Sequence, residues 1–509
     1  MSNEPEQYSI DEIMARLKSQ GQASIESEGE LVTRADGTQA IRVKRRKRRS
    51  HQPKKEKERA NQRARTIQLL AAMGLVTLAA LVCGFAVMYA NSPPFRDGLS
   101  GKIARVTGAE TELTQFRMNP SAANLAALSL KWPEGNAIES ITLRNVAAKI
   151  SPASFLGRKF LGEEIVAADG TINVRAPLND QPSRFHDAGE PGDLVEFDRY
   201  AAPSVTLNYG DPIRPDIRFS KSEAAYYPKN SKGSPQVTLT HGEVMLAGWP
   251  KLELDRANFV FHGPDIEVSS LRLRTENDDV GSIALVGMLA PYALGNVSKL
   301  QVVLDAMPLT GLAGAELGGI LRGRIESLPE PRQGSFEIMA GSKPDMALEI
   351  PFQGSLGEPL ALSGLPFLTD LRGLLDDIWY ETPLFETHAK GVLRRAGGNV
   401  SLSDLELTSK GRLAIRGSLA FVDGTTYAGD LKVGLSEAVI SSTRNARLDE
   451  LLSAPSDGFR WIDLKISGPK DAPKDDFRER YESMALESPA GIDAEASGLP
   501  SFEDLTKPR

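Results

Sequence analysis

One uninterrupted apolar stretch constrains this chain more than any other feature of its sequence. From Ile67 to Ala90 there is no charged residue, and Gln68 is the one strongly polar side chain. As an α-helix, these 24 residues would be ~36 Å long, which exceeds the ~30 Å hydrocarbon core of a bilayer. A cleaved signal peptide has a shorter apolar stretch that lies nearer the N-terminus. The sequence therefore predicts an uncleaved transmembrane helix over residues 66–90.

A dense run of positive charge precedes this helix and predicts its orientation. Thirteen Lys and Arg stand against two Glu between Arg42 and Arg65, whereas Arg96 and Lys102 are the nearest cations after the helix. Because positive charge stays on the cytoplasmic side, residues 1–65 should be cytoplasmic and the rest of the chain exported. Contact with anionic lipid head groups is the alternative role of this run. The residues expected to set the topology are Arg45, Arg46, Lys47, Arg48 and Arg49.

Composition indicates the compartment of the exported part. The whole chain has a net charge of −7, so the part outside the basic run is strongly acidic and is not suited to a nucleic-acid partner. Cys83 is the single cysteine and lies in the predicted membrane helix. A large exported region without disulfides is typical of the bacterial envelope. We therefore expect a single-pass protein of the bacterial inner membrane with most of its chain in the periplasm.

A short amphipathic helix is predicted over residues 9–18, within a cytoplasmic head that is otherwise polar and largely disordered. Ser9 and Glu12 have the spacing of a capping box. A helix this short is marginal in water, so it either frays or places its apolar face on a cytoplasmic partner or on the membrane. That face consists of Ile10, Ile13, Met14 and Leu17. A hairpin is also predicted around Asp36–Gly37.

Residues 91–475 alternate apolar and polar positions in short segments, separated by Gly, Asn, Asp and Pro. This pattern is typical of antiparallel strands. Hairpin turns are predicted at His241–Gly242, Lys410–Gly411 and Asp423–Gly424. The predicted fold class is mainly β, a large twisted antiparallel sheet with a few short helices, preceded by one transmembrane helix. The clearest strand block is residues 399–435.

One parity of that block supplies an apolar face. Side chains at alternate positions of a strand share one side of the sheet. The sequence leaves open whether this face lines a lipid groove or forms an ordinary core. Its residues are Leu405, Leu407, Leu413, Ile415, Leu419 and Phe421.

Helices and loops interrupt the strand pattern at a few places. A glycine-containing segment after residue 308 and a segment that begins at Pro366 have helical apolar spacing. In the second segment the apolar face is expected to extend to Ile378 and Trp379. Two Pro-rich segments, 178–202 and 210–235, are predicted to be loops. Residues 476–509 are predicted to be a polar tail beyond the domain.

No pattern typical of catalysis or metal binding occurs in the sequence. The five histidines lie too far apart for a metal motif, and there is no phosphate-binding loop or nucleophile elbow. We therefore expect no enzyme activity, no cofactor and no metal. An envelope hydrolase with two distant carboxylates is the least favoured alternative. Acidic doublets are expected to be solvated surface, at Glu163–Glu164, Asp278–Asp279, Asp376–Asp377 and Asp475–Asp476.

Two stretches resemble a known family. The segment ITLRNVAAKISPASFLGRKFLGEEIVAADGTINV, residues 141–174, is similar to a strand–helix–strand module of the AsmA-like envelope proteins. Residues 385–435, closed by IDLKISGPKDAP, resemble the C-terminal region of that family. The matching positions there are Gly417, Ser418, Leu419, Ile466, Gly468, Asp471 and Pro473. The long cytoplasmic head and residues 178–235 correspond to no element of the family.

The resemblance implies a taco-like, strongly twisted sheet with an apolar concave groove. Such grooves are associated in this family with the passage of phospholipid across the envelope and with outer-membrane homeostasis. The expected function is thus lipid transport or outer-membrane biogenesis, with the membrane and a phospholipid as partners. The alternative is a non-enzymatic scaffold or signalling anchor whose cytoplasmic helix binds a partner. A sealed, dry core in the exported domain would favour that alternative.

Overall fold

The computed structural model describes residues 30–33, 35–37, 39–42, 52–151, 160–177, 195–231, 233–329, 333–386 and 388–486. The chain divides into two compact units, Met1–Cys83 and Gly84–Arg509. In the first unit, β1 (Glu30–Thr33) and β2 (Gln39–Arg42) pair antiparallel. The predicted turn at Asp36–Gly37 joins them, and Gly37 has a φ of +79°.

The described residues contain one helix that is long and apolar enough to cross a membrane. This segment, Leu69–Ala90, agrees with the predicted span 66–90 and is the last part of a longer helix that begins at Gln52. The helices are α1 (Gln52–Ala90), α2 (Pro93–Thr107), α3 (Leu309–Ile320), α4 (Pro366–Leu375), α5 (Glu437–Thr443), α6 (Ala446–Leu451) and α7 (Phe477–Leu486), with a short 3₁₀ helix at Ile378–Glu381.

The second unit is built mainly of strands. Its first half contains β3 (Glu110–Thr114), β4 (Arg117–Asn119), β5 (Ala122–Lys131), β6 (Ile138–Ile150), β7 (Phe160–Val174), β8 (Val195–Gly210), β9 (Pro215–Tyr227), β10 (Gln236–Thr240), β11 (Glu243–Leu246), β12 (Leu252–His262), β13 (Asp265–Thr275), β14 (Ser282–Leu289), β15 (Val297–Asp305) and β16 (Met307–Pro308).

The second half continues the pattern of strands. It contains β17 (Leu321–Arg322), β18 (Arg324–Ser327), β19 (Gly334–Met339), β20 (Asp345–Gly354), β21 (Leu360–Leu362), β22 (Leu384–Phe385), β23 (His388–Ala396), β24 (Asn399–Ser409), β25 (Leu413–Val422), β26 (Thr426–Ser436), β27 (Phe459–Pro469) and β28 (Lys474–Asp475).

Most of these strands form one continuous sheet, which confirms the predicted fold class. It runs from β3 and β4 through β5 to β15, then through β19 and β20 to β23, and on through β24 to β28. β10 and β11 both lie between β9 and β12, and β18 pairs with β20 beside β19. Neighbouring strands are antiparallel, except that β7 and β8 are parallel. β17, β21 and β22 form a small separate sheet.

The hairpins predicted at Lys410–Gly411 and Asp423–Gly424 are present. Asp423 and Gly424 both have positive φ, +52° and +65°, as the tight turn between β25 and β26 requires. The hairpin predicted at His241–Gly242 was wrong, because β10 and β11 follow one another between β9 and β12 and do not pair with each other. His241 and Gly242, with φ of +55° and +111°, interrupt this strand without reversing it. Gly417 has a structural role of its own, because a side chain there would collide with the carbonyl oxygen of Asp430 on β26.

The apolar side of β10–β27 encloses one large core. Helices α3, α4 and α7 insert into it with fully buried side chains. The buried side chains of these helices include Leu309, Leu312, Leu317, Phe367, Leu368, Leu371, Phe477 and Tyr481. The helix predicted from Pro366 is therefore confirmed. Ile378 is exposed, however, because α4 ends at Leu375 and Asp376 adopts a left-handed conformation with φ of +49°.

Loops and the short strand β28 cover the outer edge of β27. The backbone N–H of Ser453 donates to the carbonyl of Trp461 at 2.8 Å, and the Ser453 hydroxyl accepts from the Trp461 N–H at 3.1 Å. Farther along, the Asp476 carboxylate accepts from the N–H of Lys465 at 2.8 Å. These contacts occupy groups that could otherwise pair with another strand.

Three predictions of loops and boundaries were wrong. Within the segment 178–202, residues from Val195 onward belong to β8, and half of 210–235 is β9. Pro215 indicates a loop, yet it is accommodated at the first position of β9. The folded domain also extends past residue 475, because α7 packs into the core through Phe477 and Tyr481.

Candidate functional site

Two of the acidic doublets are not the solvated surface that the sequence predicted. Arg324 donates two hydrogen bonds to Asp278, at 2.9 and 3.0 Å, and this interaction lowers the pKa of that carboxyl below its usual value. Asp475 accepts from the backbone N–H of Phe367 at 2.6 Å and of Phe477 at 3.1 Å, while burial raises its pKa. Asp278 and Asp475 therefore connect separate segments of the fold through hydrogen bonds. Among the residues described, no group of three or more His, Cys, Asp or Glu could hold a metal ion.

The six apolar residues proposed from the strand block all lie inside the closed core. Their side chains are exposed by 0 to 4 % and belong to the cluster that β10–β27 encloses. The structure therefore brings them together as core and not as an open surface. They are Leu405, Leu407, Leu413, Ile415, Leu419 and Phe421.

The other candidate residues lie outside the described residues. These are the apolar face of the predicted cytoplasmic helix and the basic residues expected to set topology. They comprise Ile10, Ile13, Met14, Leu17, Arg45, Arg46, Lys47, Arg48 and Arg49.

The end of the apolar helix is fastened directly to the start of the sheet. Ala90 is 4 % exposed, and only Asn91 and Ser92 separate α1 from α2. The Asn91 side chain accepts from the backbone N–H of Met118 at 2.8 Å and donates to its carbonyl at 2.7 Å. Tyr89 lies edge-on to Phe95, with ring centroids 5.7 Å apart. The junction is thus a packed and hydrogen-bonded contact.

Helix α2 covers the first part of the apolar side of the sheet. Pro93 and Pro94 begin it, where their missing N–H groups cost nothing. Leu99 is buried, and Phe95 and Ile103 pack beside it in a cluster with Phe116 and residues of β3 to β8. Gly108 ends the helix in a left-handed conformation with φ of +67°. The cluster also contains Ala90, so it starts at the last residue of α1.

Beyond α2, the apolar side of β5–β9 is only half-buried. Cross-strand partners place Leu130, Ile141, Ile172, Leu207 and Phe219 in one row across these strands. A second row contains smaller side chains that are buried, among them Ala167 and Ala202. We call this surface the open face. It is defined by Leu125, Leu143, Ile165, Ile172, Leu207 and Tyr226, which all keep partial contact with solvent.

The opposite side of the same strands is polar. Asn173 donates to the Ser140 hydroxyl at 2.9 Å, and Asn208 donates to the Asn173 side-chain oxygen at 2.8 Å. Arg218 continues the ladder by donating to Asn208 at 2.9 Å. These four residues are registered partners on β6, β7, β8 and β9. The ladder gives β5–β9 one polar side and one apolar side.

Two tyrosines lie on the open face. The rings of Tyr200 and Tyr226 are 5.7 Å apart, and burial raises the pKa of both hydroxyls. Tyr226 nevertheless remains 37 % exposed. Its neighbour Tyr227 lies on the polar side, beneath the guanidinium of Arg199, which forms an ion pair with Glu164 at 3.1 Å. The side chains of Tyr226 and Tyr227 thus lie on opposite sides of β9.

The open face ends where the sheet closes around the core. In the row that contains Phe219, the next partners are Val244 and Leu252, and both are buried. From this point to β27 the apolar side belongs to the closed core.

A contact between β23 and the β11–β12 loop lies at this end of the open face. Arg395, on β23, is buried and donates to the carbonyl of Gly248 in the β11–β12 loop and to the carbonyl of Leu312 in α3, the latter at 2.9 Å. Its guanidinium carbon lies 5.2 Å from the centre of the Trp249 ring. Trp249 in turn lies edge-on to Phe336, with centroids 5.6 Å apart. We call Trp249 and Arg395 the seal.

Sequence reasoning did not select the open face. Alternation in β6 was recognised at Ile141 and Leu143, yet the same alternation occurs in the closed core. The open face differs from the closed core in having small residues and tyrosines at facing positions, such as Ala167, Ala202 and Tyr226. The short distance in sequence from the apolar helix is a second signal.

Comparison of the chain with protein-family models, curated proteins and solved structures found no match.

Proposed function

We propose that α1 anchors this protein in the bacterial inner membrane and that the open face binds acyl chains of phospholipids. The process served is lipid transport or outer-membrane maintenance, and the protein is not an enzyme. In this proposal the N-terminal head is cytoplasmic and the second unit is periplasmic, as in the AsmA-like family that two segments of the chain resemble. The observation that carries the proposal is the position of the open face, which adjoins the cluster that contains Ala90, the last residue of the apolar helix.

Energetics favour an acyl chain on this surface. Apolar area left in water costs ~25 cal/mol per Å², so half-buried Leu, Ile and Tyr side chains are stabilised when a chain covers them. The lipid gains ~0.8 kcal/mol for each CH₂ withdrawn from water. Because Ala90 packs into the same cluster as α2 and β3–β8, a lipid leaving the bilayer at this end would reach the open face with little exposure to water.

A second candidate function is that of an envelope scaffold or signalling anchor. The observation that favours it is the closed core of β10–β27, which is what a purely structural domain needs. In that case the open face would be covered by another part of this chain or by a protein, and lipid would not bind there.

Photocrosslinking from adjacent tyrosines tests the first proposal against the second. The full-length protein is expressed in a diderm bacterium with p-benzoylphenylalanine at Tyr226 in one variant and at Tyr227 in the other. After irradiation of intact cells, the purified protein is analysed for covalently attached phospholipid by mass spectrometry. We expect phospholipid adducts from position 226, because that side chain lies on the open face.

The variant at Tyr227 is the matched control, because it differs by one residue and lies on the polar side. Equal adduct yields at both positions would indicate nonspecific contact with the membrane and would refute the proposal. Adducts from Tyr226 to protein, without lipid, would favour the scaffold. Circular dichroism and protease resistance of both variants show that the sheet is intact.

A further inference from the structure

The open face has two ends, and only one of them lies next to the apolar helix. We infer that the protein holds phospholipid in a dead-end site, loaded and unloaded at its membrane end, and that it does not pass a file of lipids along its whole sheet. This inference rests on the proposed function and specifies how that function is performed.

The length of the open face limits what it can hold. Five neighbouring strands, β5 to β9, span roughly 20 Å at ~4.8 Å per strand. The acyl region of one leaflet is about half of a ~30 Å hydrocarbon core, or ~15 Å. Measured across the strands, the open face therefore accommodates the acyl chains of lipids placed side by side, but it does not accommodate two lipids placed end to end in that direction.

The closed core blocks any continuation of the path. Leu239 and Ala257, which follow Ala224 across β10 and β12, are 2 % and 0 % exposed. A chain that advanced beyond β9 would have to displace side chains that already contact one another. The interior of a protein is close-packed, so such displacement forces side chains and backbone into strained positions.

The seal holds this closure in place. Arg395 is a buried cation that binds two backbone carbonyls and lies over the Trp249 ring. Opening the sheet here would separate a charge from these partners in a site of low dielectric, which is costly. The β11–β12 loop is thus fixed to β23 and α3. Lipid bound on the open face must leave by the end at which it arrived, and a partner that receives it must reach that end.

A crosslinking map along the sheet tests the inference. In the full-length protein, p-benzoylphenylalanine is placed at Tyr200 or Tyr226 on the open face and at Phe336 or Phe421 in the core. Aromatic positions are chosen because the probe keeps the phenyl ring of the native side chain and adds a benzoyl group at its para position. We expect phospholipid adducts at the first two positions and at least about tenfold lower yields at the last two, the ratio given by a 1.4 kcal/mol difference in lipid affinity.

Lipid counting on the unmodified protein gives a second measurement that does not depend on core substitutions. Native mass spectrometry of the full chain, released from nanodiscs of phosphatidylethanolamine and phosphatidylglycerol, should show bound phospholipid that saturates at one or two molecules per chain. Adducts at Phe336 and Phe421 as strong as those at Tyr226, or a long ladder of bound lipids, would overturn the dead-end site while leaving lipid binding in place. Absence of lipid at all four positions would instead refute the proposed function.

Discussion

The difference between the open face and the closed core predicts different costs for the same kind of substitution. Leu419 is 2 % exposed and surrounded on all sides, so Leu419→Ala should lower the free energy of unfolding by about 2–5 kcal/mol through lost burial and a residual cavity. Ile172 faces solvent on one side. Ile172→Ala removes only part of a burial term of ~1.5–3 kcal/mol and leaves no enclosed cavity, so we expect about 1 kcal/mol.

The assay is urea unfolding of the full-length protein in lipid-free detergent micelles, followed by tryptophan fluorescence, with and without added phospholipid. Lipid that binds the native state stabilises it by mass action. Added lipid should therefore increase the cost of Ile172→Ala and leave the cost of Leu419→Ala unchanged. If Ile172→Ala costs as much as Leu419→Ala before lipid is added, the open face is covered by protein and the distinction on which the proposed function depends is wrong.

Three further substitutions test the supports of this architecture. Asp475→Ala removes the carboxylate that caps both α4 and α7, so it should lower the free energy of unfolding by roughly 2–4 kcal/mol. It should also make α7 accessible to proteases. The control, Asp471→Ala on an exposed turn, should have no effect. Asn91→Ala should increase hydrogen exchange in β4 by about tenfold or more, because it removes two hydrogen bonds at the membrane junction. Asp278→Asn should destabilise the protein near pH 7 but much less near pH 3. The pKa of Asp278 is lowered by Arg324, so its contribution is complete above the ordinary carboxyl pKa and is lost as the pH falls.

Each of these predictions has an outcome that contradicts it. Intact protease resistance of α7 in Asp475→Ala would show that apolar burial alone holds that helix. Unchanged exchange in β4 would mean that Asn91 is not the support of the junction. A constant difference between wild type and Asp278→Asn from about pH 7 to about pH 3 would show that the ion pair contributes nothing that titrates.

Local features of the fold were predictable, because they depend on a few adjacent residues. The turn at Asp423–Gly424 follows from the left-handed conformations that a two-residue hairpin needs. The helix at Pro366 follows from its apolar spacing. Strand β9 was missed because prolines at its start and before it were taken to indicate a loop, although Pro215 lies at the first position of the strand, where its missing N–H is tolerated.

Nonlocal features were not predictable from one sequence. The parallel pairing of β7 with β8 depends on a crossover rather than on a turn, and no short pattern specifies it. The open face is nonlocal in the same sense, because it depends on which strands the helices leave uncovered. Leu413 and Ile172 have the same alternating neighbours, and they differ only because α3, α4 and α7 cover the first and not the second. Which helix covers which strand is decided by tertiary packing.

The two-residue connection between α1 and α2 has a mechanical consequence. A long linker would let α2 and the sheet move freely about the end of α1. Asn91 and Ser92 are too few for that, and the hydrogen bonds from Asn91 to Met118 remove the remaining freedom. The first strands of the sheet are therefore held against the end of α1. In the proposed function, a partner that receives lipid must therefore come to the open face, because this domain cannot swing out to meet it.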